Sequence, residues 1–164
     1  MKAIPLERSG VAYIYIALAH TNGKTMPKFP FLVDTGATRT TIPKETLIKE
    51  LGYTEDFINT NKLILSEKEK PIMANGERAD VYKLPGMRLN IGGYEIQHDF
   101  ILSSDTINLS LLLGLDVLNY FKFTFDFDST DSACPYGKMF YALREKMKKS
   151  YSNLQKPFAH KLTD

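Results

Sequence analysis

The sequence predicts a mostly β domain with short helices and a C-terminal amphipathic helix. Three observations carry that expectation. Apolar and polar residues alternate with period two over 11–19, 87–102 and 123–127, the spacing that turns one face of a strand toward a core. The dipeptides Asn75-Gly76 and Gly92-Gly93 fall in such strand-like sequence, where tight hairpin turns form. Helical spacing is confined to short stretches after Pro43 and Gly114 and to the tail.

In chain order, Val11, Tyr13 and Tyr15 alternate against Ala12, Ile14 and Ile16, and 29–33 is a second β-rich run beyond the turn-prone Thr21-Asn22-Gly23. These two runs are expected to form a hairpin. Pro43 then sits where the first turn of a helix tolerates it, Leu47, Ile48 and Leu51 share a face, and Gly52 is placed to end the helix. Strand character returns from Lys70, and Asn75-Gly76 is expected to make a two-residue hairpin turn. Met87, Leu89 and Ile91, then Tyr94, Ile96, Phe100 and Leu102, alternate on either side of Gly92-Gly93, so one face of that hairpin is core. Residues 109–115 are too apolar for a surface loop, and Gly114 followed by Leu115, Val117, Leu118 and Phe121 reads as a strand turning into a short helix. Phe123, Phe125 and Phe127 alternate as a further strand. From Leu143 onward, Leu143, Met147, Tyr151, Leu154 and Phe158 recur at helical spacing with Pro157 near the end. The chain is therefore expected to divide into a domain over 1–143 and a basic helical extension over 144–164.

With 164 residues, 43% of them hydrophobic, the chain can bury one core but falls short of two typical domains. No stretch reaches the roughly 18 to 20 consecutive apolar residues of a membrane span, and the first ten residues lack the apolar run of a secretory signal. A single cysteine, Cys134, rules out an intrachain disulfide framework. The expectation is a soluble, unexported protein in a reducing compartment, the cytoplasm. The net charge of +2 hides an asymmetry: the tail holds six Lys or Arg against two acidic residues, while 1–143 carries 15 basic against 17 acidic. A near-neutral body argues against a nucleic-acid groove, which needs cations clustered on the folded face.

The chemistry concentrates at Phe31-Leu32-Val33-Asp34-Thr35-Gly36-Ala37-Thr38. A carboxylate ending an apolar strand is costly to bury unless hydrogen bonds or charges satisfy it, so it is either well satisfied or functionally perturbed. Gly36 lets the backbone come close to that carboxylate, and Thr35 can lock the turn through its hydroxyl. Asp-Thr-Gly alone is most often a strand-to-turn signal. Here it is followed by Thr41-Ile42-Pro43 and matched far downstream by a second apolar run ending in glycine, Leu111-Leu112-Leu113-Gly114.

Residues 31–43 together with 111–121 resemble the paired signatures of retropepsin-like aspartic proteases. The resemblance spans roughly 10–128 and is closer to the cellular and bacterial members than to the compact viral enzymes. It implies a closed, barrel-like β domain in which Asp34 is the catalytic carboxylate, Thr35 cross-braces the two active-site loops and Gly36 shapes the site beside the scissile bond. It places Ala37, Asn75 and Gly76 on the substrate-binding side, the last two in a flap over an extended peptide held by backbone hydrogen bonds. The chain carries one Asp-Thr-Gly. Hydrolysis by this chemistry needs one carboxylate to activate water and a second, protonated, to donate to the carbonyl oxygen, so a two-fold homodimer is required. Position 37 is alanine, so no hydroxyl follows Gly36 to favour the charged dyad, and a less acidic optimum than that of a serine variant is expected. No cofactor or metal is implied.

Asp116 is the alternative second carboxylate, but two residues past Gly114 it reads as a cap or dipole partner of the short helix. Asp126, Asp128 and Asp131 lack the glycine and the bidentate Glu of a calcium loop and read as a solvated turn. His20, His98 and His160 have no metal-ligand spacing and, with Cys134, are assigned no role. The basic tail is expected to pack on protein. The rival function is a non-catalytic module of the same fold, used for dimerisation or peptide binding, because fold alone does not ensure chemistry.

Overall fold

The computed structural model describes residues 1–7, 12–99 and 101–148. Its elements are β1 (Lys2–Pro5), β2 (Tyr13–Leu18), β3 (Lys28–Val33), α1 (Lys44–Lys49), α2 (Glu55–Asn61), β4 (Leu63–Ile64), β5 (Tyr82–Leu84), β6 (Met87–Ile91), β7 (Tyr94–His98), β8 (Ile101–Ser103), β9 (Leu112–Leu113), α3 (Leu115–Leu118), β10 (Phe121–Asp126) and β11 (Lys138–Leu143). The protein is mostly β, with short helices.

Alternation places the strands. In β2, Ile14, Ile16 and Leu18 are buried while Tyr15 faces water, and in β6 Met87, Leu89 and Ile91 are buried. The expected hairpin of β2 and β3 forms, with Ile14 opposite Phe31 and Ile16 opposite Phe29. The β6–β7 hairpin turns on Gly92 and Gly93, both at positive φ (54° and 96°), the geometry of a primed two-residue turn. A side chain at Gly92 is excluded by space as well, since a Cβ there would lie 1.5 Å from the Tyr141 hydroxyl, which donates to the Gly92 carbonyl at 3.0 Å. Tyr141 also stands edge-on to Phe121 and Tyr94 (5.8 and 6.1 Å between centroids) and so ties β11 and β10 to the β6–β7 hairpin.

Three sets of strands share one core: β1-β11-β10, β7-β6-β2-β3-β9 and β4-β5-β8. The second and third are stitched together by Thr41. Its amide donates to the Leu112 carbonyl (2.9 Å) and its carbonyl accepts from Leu112 (3.2 Å), while its neighbours Thr40 and Ile42 bond Leu102 of β8. Among the described residues this ladder runs from β7 to β4 without closing on itself, so a closed barrel is not formed by these pairings.

Other differences from the sequence reading have local causes. Asn75-Gly76 does not make a two-residue turn. The Gly76 amide donates to the Met73 carbonyl and only Gly76 has positive φ (83°), so Ala74, Asn75 and Gly76 form a three-residue loop closed by the Ile72–Arg78 bridge. A primed turn would have required positive φ at Asn75 too. The run from Tyr94 to Leu102 is two strands in different sheets, with the Asp99 carboxylate accepting from the Gly86 amide at the break; Phe100 lies outside the described residues. Helix α2 and strands β1, β4 and β11 were not anticipated. Leu143 ends β11 and is not helical; 145–148 form one helical turn, with Met147 against the core. Tyr151, Leu154 and Phe158 of the expected tail helix, and His160, lie outside the described residues. No helix among the described residues is long and apolar enough to cross a membrane.

Candidate active site

Asp34 is the first residue beyond β3, and the partner of β3 on this side is β9, which runs parallel with Leu32 beside Leu112 and Val33 beside Leu113. The Asp34 amide donates to the Leu113 carbonyl at 3.0 Å, and the Val33 amide to the Ala12 carbonyl at 2.7 Å. The backbone at Asp34 is therefore pinned on both flanks by strands that the apolar sequence buries. Its side chain emerges half-buried at the end of the pair. The Gly36 amide donates to Asp34 Oδ1 (2.9 Å) and the Ala37 amide to the Asp34 carbonyl (3.2 Å), so the Asp-Thr-Gly turn wraps its own carboxylate. Asp34 Oδ2 receives no hydrogen bond from the described residues, nor does the exposed Thr35 hydroxyl find a partner there.

The loop that follows is anchored to the second apolar-Gly element. The Leu115 amide donates to the Ala37 carbonyl (2.9 Å) and the Asp116 amide to the Thr38 carbonyl (3.3 Å). Gly114 is where the two elements touch: a Cβ there would lie 2.5 Å from the Arg39 carbonyl carbon and 2.6 Å from its oxygen. Only glycine permits that approach of backbone to backbone.

Asp116 makes no hydrogen bond within the Asp-Thr-Gly turn. Its side chain is 6% exposed and collects four donors: the Thr40 hydroxyl (2.8 Å) and the Val117 amide (2.9 Å) on Oδ1, the Thr40 amide (3.1 Å) and His98 Nε2 (3.1 Å) on Oδ2. The Thr40 hydroxyl in turn accepts from the Gly114 amide at 3.0 Å. Burial alone would raise the Asp116 carboxyl, but the hydrogen bonds from His98 and Thr40 outweigh it and hold the group below the usual carboxylate range. The N-cap of α3 is Gly114 and no side chain caps it, so Asp116 meets the helix start only through the first-turn Val117 amide, and His98, given no role from the sequence, is a buried member of this cluster. Asp116 lies 76 residues from Thr40 and 18 from His98 along the chain, so no local pattern marks the cluster; the Thr-rich run 38–41 was the only available hint.

Asn75 and Gly76 sit at the exposed tip of the 72–78 loop, where Asn75 Oδ1 accepts from the Glu77 amide (3.0 Å). Neither bonds Asp34. Next to them Ile72 and Met73 expose 63% and 37% of their surface. Asp126 and Asp131 spend oxygens on turn amides, those of Asp128 and Ser129 and those of Ala133 and Cys134 respectively, and Asp131 also pairs with Lys138 (2.9 Å). Among the described residues no group of three or more His, Cys, Asp or Glu is arranged to hold a metal ion. Cys134 is buried and free.

No family model and no curated protein matches the sequence. Three solved structures similar to the chain are retropepsin-like proteins. One is a retropepsin-like aspartic protease from Rickettsia conorii (22% identity, 86% of this chain and 91% of that one, TM-score 0.44). The second is EIAV protease complexed with the inhibitor HBY-793 (16% identity, 71% and 92%, TM-score 0.47). The third is the retroviral protease-like domain of Ddi1 from Leishmania major (14% identity, 85% and 98%, TM-score 0.42). At these scores the likenesses lend nothing to the roles of individual residues, which follow from their own geometry.

Proposed function

We propose that the chain is the protomer of an aspartic endopeptidase in which Asp34 of two copies forms one catalytic dyad. The observation that carries this reading is the presentation of Asp34: its backbone is held by β9, its Oδ1 is satisfied by the Gly36 amide, and its Oδ2 is left open. A carboxylate so built, with the nearby Asp116 committed elsewhere, is half of an acid–base pair. Two such carboxylates about 3 Å apart cannot both ionise easily and share one proton, as aspartic-protease dyads do. The ionised member takes a proton from water, whose oxygen attacks the scissile carbonyl carbon while the protonated member donates to the carbonyl oxygen. The carboxyl now protonated gives its proton to the nitrogen of the resulting gem-diol while the ionised one takes a gem-diol hydroxyl proton, so that the C–N bond breaks, an amine and a carboxylic acid leave, and the dyad again holds one proton.

The open Thr35 hydroxyl suits a bond across the two-fold axis, and Gly36 keeps side-chain bulk away from Asp34 Oδ1. An extended peptide lies over Ala37 beneath the loop that carries Asn75 and Gly76, with the exposed Ile72 and Met73 offering apolar contact. A domain ending at 143 with an amphipathic basic tail over 144–164 packed on it, and a cytoplasmic setting, belong to the same reading.

The test pairs a solution mass with a cleavage assay on an unfolded protein, wild type against Asp34→Asn. A dimer whose cleavage falls by about 10²- to 10⁴-fold in the variant, the scale of a lost acid–base group, supports the proposal. A stable dimer that cleaves nothing across pH 3–8 points to the binding module, and a monomer that cleaves, or cleavage unchanged in Asp34→Asn, refutes the dyad.

A further inference from the structure

We propose that His98 is a positioning residue for the loop that carries Asp34, acting through Asp116 and Thr40. Its effect on turnover rests on the protease reading; its effect on the loop does not. His98 is the last residue of β7, buried with 6% of its surface exposed, and Nε2 stands 3.1 Å from Asp116 Oδ2. The Tyr120 ring meets the imidazole edge-on at 6.0 Å and limits its swing. A buried histidine is usually just a satisfied core residue, and many bond a nearby carbonyl. This one bonds the carboxylate on which the loop after Asp34 and the Gly114 turn converge.

The sequence of contacts is continuous. Nε2–H of His98 and the Thr40 amide share Asp116 Oδ2, the Thr40 hydroxyl and the Val117 amide share Oδ1, and the Gly114 amide ends the chain on the Thr40 hydroxyl. Backbone bonds at Ala37 and Thr38 run alongside it. Removing the Nε2–H donor leaves a buried carboxylate with one fewer hydrogen bond, and a buried charge short of donors moves toward water or recruits it. Either response displaces Thr40, and Thr40 is six residues from Asp34 in the loop whose Ala37 and Thr38 carbonyls also accept from Leu115 and Asp116, so the shift is passed along the same segment. A displacement on the scale of 1 Å in a catalytic group costs up to about 100-fold in rate, and it is read mainly in kcat because His98, Asp116 and Thr40 themselves are not among the groups this reading sets against the peptide.

The experiment compares the full chain with His98→Leu, which lacks the donor, and His98→Gln, whose amide nitrogen falls close to the position of Nε2. Amide hydrogen exchange is read at Thr40, Gly114 and Gly36, with Leu89 in β6 as an internal reference for general loosening. The expected result is exchange at Thr40 and Gly114 accelerated at least tenfold more than at Leu89 in His98→Leu, with His98→Gln restored to within about threefold of wild type, and kcat following the same order at nearly constant KM. Should His98→Leu fail to fold, His98→Asn, whose shorter amide does not reach Asp116, takes its place with the same expectation. Unchanged protection at Thr40 and Gly114, or His98→Gln behaving like the leucine variant, would overturn the proposal and leave His98 a packing residue. If exchange follows the donor while no preparation, wild type included, cleaves any substrate, the positioning role stands and the protease reading fails.

Discussion

Replacing Asp116 by asparagine tests how the loop after Asp34 is held, because the side chains are nearly isosteric and only the donor–acceptor pattern changes. Each carboxylate oxygen faces one backbone amide, Val117 on Oδ1 and Thr40 on Oδ2, and a backbone amide cannot reverse its polarity. Whichever way the asparagine amide is turned, its NH2 group opposes a buried donor. One orphaned donor costs about 1–3 kcal/mol, and the remaining bonds lose their charge assistance. The predicted destabilisation is about 2–4 kcal/mol near pH 7, which for a domain of this size is roughly 5–15 °C in Tm.

The pH dependence sharpens this prediction. The folded Asp116 carboxyl lies below its unfolded value, which is near 3.9. Its contribution to stability is therefore complete above about pH 5 and is lost as pH falls through the lower folded value. Asparagine does not titrate. In urea unfolding of both proteins between pH 2.5 and 7, the gap should be constant down to about pH 5 and narrow below pH 4. A gap that stays constant to the lowest pH at which both proteins fold, or a variant as stable as wild type at neutrality, would show that the four donors are not what holds this loop.

Three further outcomes follow from the structure. Gly114→Ala places a methyl group 2.5 Å from the Arg39 carbonyl carbon, which backbone must yield to accommodate; a loss of about 3 kcal/mol or more in urea unfolding is expected, and a variant within 1 kcal/mol of wild type contradicts the close approach. Ala37→Ser, which adds a hydroxyl where the residue after Gly36 has none, should move the pH profile of cleavage toward acid by favouring the charged dyad, whereas coincident profiles would remove that explanation. Lys44 bridges Glu55 and Asp105 at 2.7 Å each, and Lys62 joins Asp105 at 3.2 Å. The hydrogen bond from Lys44 leads in holding the Asp105 carboxyl low, yet the Lys44 and Asp105 side chains are 23% and 36% exposed, so solvent screening discounts the pair. Lys44→Met is expected to cost no more than about 1 kcal/mol, with most of that difference gone in 1 M NaCl; a larger or salt-insensitive cost would mean the network is effectively buried.

Much of the β architecture is legible in the amino-acid order because burial on one face imposes a period of two. Ile14, Ile16 and Leu18 declared β2, Met87, Leu89 and Ile91 declared β6, and Gly92-Gly93 declared the turn after it, since positive φ at two successive positions is a local property. Asp34-Thr35-Gly36 was also visible, and its internal bond from the Gly36 amide to Oδ1 spans only two residues. Short or ambiguous elements were not. Helix α2 is seven residues long and buries only Ile58, too little for periodicity to show, although Thr54 before Glu55 and Asp56 is a cap signal that could have been used. In β11 the alternation of Met139, Tyr141 and Leu143 competes with the helical spacing of the tail, and pairing with β1 and β10 decided for the strand.

What tertiary structure alone decided is the company each polar group keeps. The sequence by itself determines that Asp34 ends an apolar strand beside a glycine, and that one chain supplies one such carboxylate. That Asp116 would turn inward to Thr40 and His98, that Gly114 would lie against the backbone of Arg39, and that Thr41 would join β9 to β8 depend on segments distant in the chain meeting in one place. A buried carboxylate takes whatever donors the packing of apolar neighbours brings within reach, and that packing is a property of the whole core, not of any window of sequence.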